Sequence, residues 1–134
     1  MSWTCPKCER ELKNANQRHY CARVSLDSLF EGRPPELVLV FDKILAEVAG
    51  WEDVLAGTSP NCIVFVHKQT FFVIRPMQKQ LDLKFYSTNR LEGPAIFKSV
   101  ASSGGRYENN IRVSTLADLN MQLFSLIRDS YILL

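Results

Sequence analysis

No block of like charges, no apolar run of transmembrane length and no internal repeat or low-complexity segment occurs in these 134 residues. The missing charge block, with a net charge of only +2, removes the basis for tight nonspecific nucleic-acid binding, which rests on neutralising phosphates. Without a long apolar run there is no candidate spanning helix, so no membrane partner is expected. The first residues lack a charged-then-apolar leader, which makes a cytoplasmic location the expectation. Cysteine is scarce as well: there are four, three of them among the first 21 residues. In a reducing compartment such a cluster points to metal rather than to disulfides. The fourth, Cys62, stands alone in an apolar run and reads as a small buried hydrophobe. No neighbour in sequence is placed to depress its pKa, which argues against a reactive thiol.

What is present begins with Cys5-Pro6-Lys7-Cys8, followed by His19-Tyr20-Cys21. Three thiols and one imidazole make a full tetrahedral set for Zn²⁺. A two-residue gap lets one tight turn aim Cys5 and Cys8 at the same ion. His19 and Cys21 lie two apart, so on extended backbone both side chains leave from one side. Four protein ligands leave no open position, so the expected cofactor is a structural zinc in a knuckle over residues 1–24. The polar stretch from Glu9 to Arg18 forms no core alone, and metal binding would supply much of its folding free energy. The alternative, a redox Cys-x-x-Cys, lacks the βαβ context of thioredoxin-like proteins and leaves His19 and Cys21 unexplained. Trp3 and Tyr20, which flank the ligands, are expected to dock the module on the main body.

Residues 25–134 read as one α+β domain. Hydrophobic content of 46% and charged content of 22% are those of an ordinary globular chain with a core. Ser25 caps a helical turn over Leu26 to Glu31 that Gly32 ends. Pro34-Pro35 suits the first turn of a new helix. From Glu36 to Ala49, Leu37, Val40, Phe41, Ile44, Leu45 and Val48 recur at helical spacing, and Gly50 closes the run. After Gly57-Thr58-Ser59-Pro60 the period changes. Cys62 to Val66 and Phe71 to Ile74 form a hairpin around His67-Lys68-Gln69. Leu81, Leu83 and Phe85 alternate with Asp82, Lys84 and Tyr86, a strand with one wet face. Ile96 to Ala101 and Tyr107 to Val113 add two strands around Ser102-Ser103-Gly104-Gly105. That turn opens no helix, so it is a hairpin turn and not a phosphate cradle. Thr115 with Asp118 makes a capping-box-like start for a closing helix that carries Leu116, Leu119, Leu123, Phe124, Ile127 and Tyr131. The expected architecture is an antiparallel sheet of four to five strands, with helices packed on one face, preceded by the knuckle.

Several of these residues resemble a bacterial family known as the domain of unknown function 5655. The likeness rests first on Trp3-Thr4-Cys5-Pro6-Lys7-Cys8 and Asn16-Gln17-Arg18-His19-Tyr20-Cys21. It continues through Leu29-Phe30-Glu31-Gly32-Arg33-Pro34-Pro35-Glu36, Phe72-Val73-Ile74-Arg75-Pro76 with Lys79, Leu116-Ala117-Asp118-Leu119 and Tyr131. Glu9-Arg10 stands where members often have Gly-Arg after the second cysteine, and Lys68 aligns only loosely with the family's basic residue before the hairpin. The sheet half resembles, more distantly, the small YdhG-like α+β family, some members of which are discussed as iron chaperones. Neither likeness implies a reaction, because fold does not imply function.

Among the charged residues of the sheet half, Arg75, Lys79, Lys84, Arg90, Arg106 and Arg112 would form an anion-binding groove if several shared a face. Arg75 at a strand end, with Lys79 and Lys84, is the leading candidate; ordinary solvated charges offset by Asp82, Glu92 and Glu108 are the plain alternative. His67 reads as a solvated turn histidine, since no partner for acid–base work stands near it in sequence. The function expected is a non-enzymatic binding module with a structural zinc, its sheet face taking a small anion, nucleic acid or protein. An enzyme acting on a small anionic substrate near Arg75, Lys79 and His67 is the first alternative. A nucleic-acid-binding zinc protein, helped by Lys7, Arg10, Lys13 and Arg18, is the second. A metal chaperone ranks last, because the acidic residues are scattered.

Overall fold

The structure, a computed structural model, describes residues 3–4, 11–12, 26–93 and 95–134. Two short strands, β1 (Trp3–Thr4) and β2 (Glu11–Leu12), pair antiparallel. Cys5, Cys8, His19 and Cys21 lie outside the described residues, as do Ser25 and Tyr20.

The main domain opens with α1 (Leu26–Phe30) and α2 (Pro35–Val48). Gly32 joins them at φ +74°, a left-handed turn that glycine takes without the Cβ penalty. Pro35 occupies the first position of α2, where its missing N–H breaks no helical bond. Leu37, Val40, Phe41, Ile44 and Val48 are buried, as their spacing predicts, and Leu45 is half-buried. Arg33 in the connection is a tether. Its Nε donates to the Met77 carbonyl at 2.9 Å and Nη2 to that of Pro76 at 3.3 Å. The guanidinium thereby ties the entry of α2 to the far end of the hairpin.

The sheet has six strands in the order β3-β4-β5-β6-β8-β7, every neighbouring pair antiparallel. They are β3 (Leu55–Thr58), β4 (Ile63–Val66), β5 (Thr70–Pro76), β6 (Leu81–Ser87), β7 (Lys98–Ala101) and β8 (Tyr107–Val113). The α+β class is as expected, but the strand count is six, not four to five. The added strand is β3, an edge strand of Leu, Ala, Gly and Thr. Ala and Gly have little strand propensity of their own, and pairing with β4 supplies the order. A 3₁₀ turn, Ser103–Gly105, with Gly104 and Gly105 at positive φ, joins β7 to β8 as a hairpin.

Register sorts the side chains. Ile63 and Phe65 stand beside Ile74 and Phe72, which stand beside Leu83 and Phe85, with Ile111 next to Leu83. These inner-face residues join the buried side chains of α2 and of α3 (Met121–Leu133) in one core. Phe71 is the extra residue of a bulge between β4 and β5 and packs between Trp51 and Tyr131. The alternation along β6 is only half as expected. Asp82, placed by its period on a wet face, is buried. Its carboxylate is satisfied there, because Asn110 donates to it at 2.9 Å and Arg112 lies 3.5 Å away.

The closing helix starts later than the sequence suggests. Thr115 and Asp118 bracket a separate 3₁₀ turn, Leu116–Asp118. The Asp118 carboxylate accepts from the backbone N–H of Ser114 at 2.9 Å and of Thr115 at 3.1 Å, which holds its pKa below the usual carboxylate value. Asn120 is the true N-cap of α3, accepting from the Leu123 N–H at 2.8 Å. Leu116 is accordingly exposed, while Leu119, Leu123, Ile127 and Tyr131 are buried.

Candidate functional site

With the helices on the inner face, the outer face of β5, β6, β8 and β7 forms a concavity of about 410 Å³. No residue of a helix lines it. Its floor follows from register. Arg75 on β5 opposes Asp82 on β6, which opposes Arg112 on β8. The next row across is Val73, Lys84, Asn110 and Lys98. Glu108 and Phe97 complete the rim.

Four cationic side chains, Arg75, Lys84, Lys98 and Arg112, thus meet two carboxylates, Asp82 and Glu108. Lys84 lies 3.6 Å from Glu108, and Arg112 3.5 Å from Asp82. Both carboxylates are therefore engaged. Arg75 and Lys98 make no hydrogen bond or ion pair among the described residues, and both are exposed. The face carries an excess of two positive charges, and the uncommitted ones sit on β5 and β7. Such a surface attracts phosphate or carboxylate groups.

The candidate residues named from sequence divide here. Arg75 and Lys84 line this concavity together with Arg112. Lys79 lies in the exposed β5–β6 turn and does not line it, and neither do Arg90 and Arg106. Lys98 was missed. Its sequence offers only a lysine in a short alternating run, and its face is fixed by pairing with Asn110 across β8.

Two sequence readings are corrected. Cys62 is half-buried and borders the concavity instead of sitting in the core. Burial still pushes its thiol pKa up, against the pull of Ser59, Arg75 and Lys84, so it stays protonated and unreactive at neutral pH. His67 is half-buried rather than a freely solvated turn residue. Its ring stacks on Tyr131 at 4.2 Å between centroids, and Nδ1 lies 3.0 Å from the Tyr131 carbonyl. A carbonyl only accepts, so Nδ1 carries the proton and donates. His67 lies at the hairpin end of β5 and Arg75 near the other end. The two do not converge, and the pocket of His67, Arg75 and Lys79 is not formed.

A second, smaller hollow of about 200 Å³ lies beside the start of α3, lined by Leu91, Ile96, Ile111, Leu123 and Leu126 with Glu92 and Asp118 at its edge. It holds no cation or nucleophile. Among the described residues no group of three or more His, Cys, Asp or Glu is placed to hold a metal, and no helix is long and apolar enough to cross a membrane. A family model described as a domain of unknown function (DUF5655) matches residues 26–133. No curated protein and no solved structure matches the chain.

Proposed function

The chain belongs to the family of the domain of unknown function DUF5655, and for it we propose a binding module whose outer sheet face takes an anionic ligand. One observation carries this reading: among the described residues the Arg75 and Lys98 side chains face the concavity with no partner, while its carboxylates are already paired. Binding is favoured over catalysis because the face offers no histidine, no unpaired carboxylate and no thiolate. Asp82 and Glu108 are engaged by cations, and the Cys62 thiol is held protonated.

Inorganic pyrophosphate is the probe for this reading. Calorimetric titration at low salt is expected to give saturable binding that Arg75→Ala weakens about tenfold or more, since a charge-assisted hydrogen bond contributes ~1.5–3 kcal/mol. Arg75 is exposed, so the variant should fold normally. Binding that is absent, or the same in Arg75→Ala and Lys98→Ala, would sink the reading.

The N-terminal segment is proposed to be a structural zinc knuckle held by Cys5, Cys8, His19 and Cys21. The donor set supports it, three thiolates and an imidazole being a closed zinc shell. So does the pairing of β1 with β2, the strands that flank Cys5 and Cys8 in sequence. Zinc would fix this segment and take no part in a reaction. Elemental mass spectrometry is expected to find one zinc per chain, lost in Cys8→Ser together with the folded signal of the first segment. Metal-free protein with a reversible Cys5–Cys8 disulfide would make the segment a redox element instead.

A further inference from the structure

The rim of the cationic face carries a feature that a site for a simple anion does not need. Phe97 is 58% exposed, unusual for a large apolar ring. It is not a loose side chain on a wandering loop. Its backbone N–H donates to the Asn110 carbonyl at 2.9 Å, which fixes the residue at the entry to β7. The Arg112 guanidinium lies 3.7 Å from the ring centroid and is itself held by Asp82 at 3.5 Å. A cation is thus stacked on the ring, much of which still remains open to solvent.

The two uncommitted cations flank this ring from separate strands. Arg75 is on β5 and Lys98 on β7, three strand spacings apart in the order β5-β6-β8-β7. At ~4.8 Å per spacing their strands are about 14 Å apart. One phosphate or carboxylate does not satisfy both positions, so the matching ligand carries several separated negative charges. It also presents a flat apolar group to the ring. Bases and a phosphodiester backbone have this combination, and an open, cationic, aromatic-bearing surface is how single strands are bound without sequence readout.

We infer that the outer sheet face binds single-stranded nucleic acid, with a base stacked on Phe97 and backbone phosphates held by Arg75 and Lys98. This rests on the anion-binding reading above and names its ligand. Lys84 and Arg112, already paired to Glu108 and Asp82, shape the floor and add positive potential. The face is open rather than enclosed, which suits a strand passing over it better than a free nucleotide needing burial. With so few uncommitted cations the binding is weak and salt-sensitive, in keeping with a net charge of only +2.

Fluorescence anisotropy with a labelled short oligothymidylate tests this on the full chain. Phe97→Ala is expected to weaken binding roughly five- to 150-fold, the ratio equivalent to the ~1–3 kcal/mol of one base–aromatic stack. Phe97→Trp should restore it, and both variants should melt like the parent because the ring is exposed. Arg75→Ala and Lys98→Ala should each flatten the salt dependence by about 0.7 in the log–log slope. Pyrophosphate binding should be untouched by Phe97→Ala, which separates the two levels of the claim. If pyrophosphate binds and the oligonucleotide does not, the strand is refuted and the anion site stands. If neither binds, both fall. Thymidine monophosphate binding as tightly as the oligonucleotide would make the ligand a free nucleotide. An equally tight acidic peptide, polyglutamate, would make it a protein. Either result overturns the inference.

Discussion

Phe72→Ala is expected to lower the unfolding free energy by about 3–5 kcal/mol, the range for deleting a buried phenyl ring. Phe72 is fully buried at the middle of a row that crosses three central strands. Phe65 on β4 and Phe85 on β6 are its cross-strand partners, and the Phe65 and Phe72 rings stack at 5.2 Å. Truncation removes apolar area from the core and leaves a cavity between two large, fixed neighbours that have little room to close it. A domain of this kind has ~5–15 kcal/mol in total, so about a fifth or more of its stability is at stake, with a fall in Tm on the order of 10 °C. Urea unfolding followed by far-UV circular dichroism measures it. A lower midpoint at unchanged slope is the expected pattern. A loss below about 1 kcal/mol would show that the row is loosely packed, contrary to the register described.

Ser130→Ala is expected to cost about 2–4 kcal/mol, an unusual amount for the loss of one oxygen. Ser130 is fully buried on α3, and its hydroxyl has two partners. It donates to the Phe71 carbonyl at 2.7 Å and accepts from the Tyr86 backbone N–H at 2.9 Å. The location explains the arrangement. Pairing of β5 with β6 ends at Phe72 and Phe85, and beyond that point the bulge at Phe71 leads β5 away. The helix hydroxyl takes the place of the missing ladder bonds. Alanine leaves a half-buried donor and a buried acceptor unpaired, each worth ~1–3 kcal/mol. Ser125→Ala, at an exposed position of the same helix, is the control and should change stability by no more than about 0.5 kcal/mol. Faster hydrogen exchange at the Tyr86 amide should accompany the Ser130 loss. If Ser130→Ala is as neutral as the control, the bridging role is wrong.

Both substitutions act on the inner face, and the residues proposed to bind an anion lie on the other. Arg75 and Phe72 are three residues apart on β5, so odd spacing puts them on opposite sides. Core packing and the cationic surface are thereby divided between the two faces of one strand. Phe97→Ala and Arg75→Ala are then informative because the core does not depend on either side chain.

Much of the fold was legible because the signals are local. Pro35 and the spacing from Leu37 to Val48 announce α2, and β-branched and aromatic runs around His67-Lys68-Gln69 announce β4 and β5. The start of α3 is not legible in the sequence because Thr115 with Asp118 and Asn120 are both good caps, and only the path of the chain decides which one opens a helix. Nothing near His67 in sequence announces its partner, since Tyr131 is 64 residues away. Arg33 had no assigned role, for its acceptors, the carbonyls of Pro76 and Met77, are likewise distant in sequence.

The sequence by itself determined the α+β class, the two main helices and the hairpin, since each rests on a period of 3.6 or 2 that neighbouring residues carry. It also held, within residues 26–133, the pattern that the family model matches. Tertiary structure alone decided that β3 is a strand, that β8 lies between β6 and β7, and that Phe71 is bulged toward Trp51 and Tyr131. It decided, too, that Arg75, Lys84, Lys98 and Arg112 share one face while Lys79 stands apart. Period-two geometry says which residues of one strand point the same way. Which strands lie side by side, and in what register, depends on burying the inner faces together against α2 and α3, and no single segment contains that information.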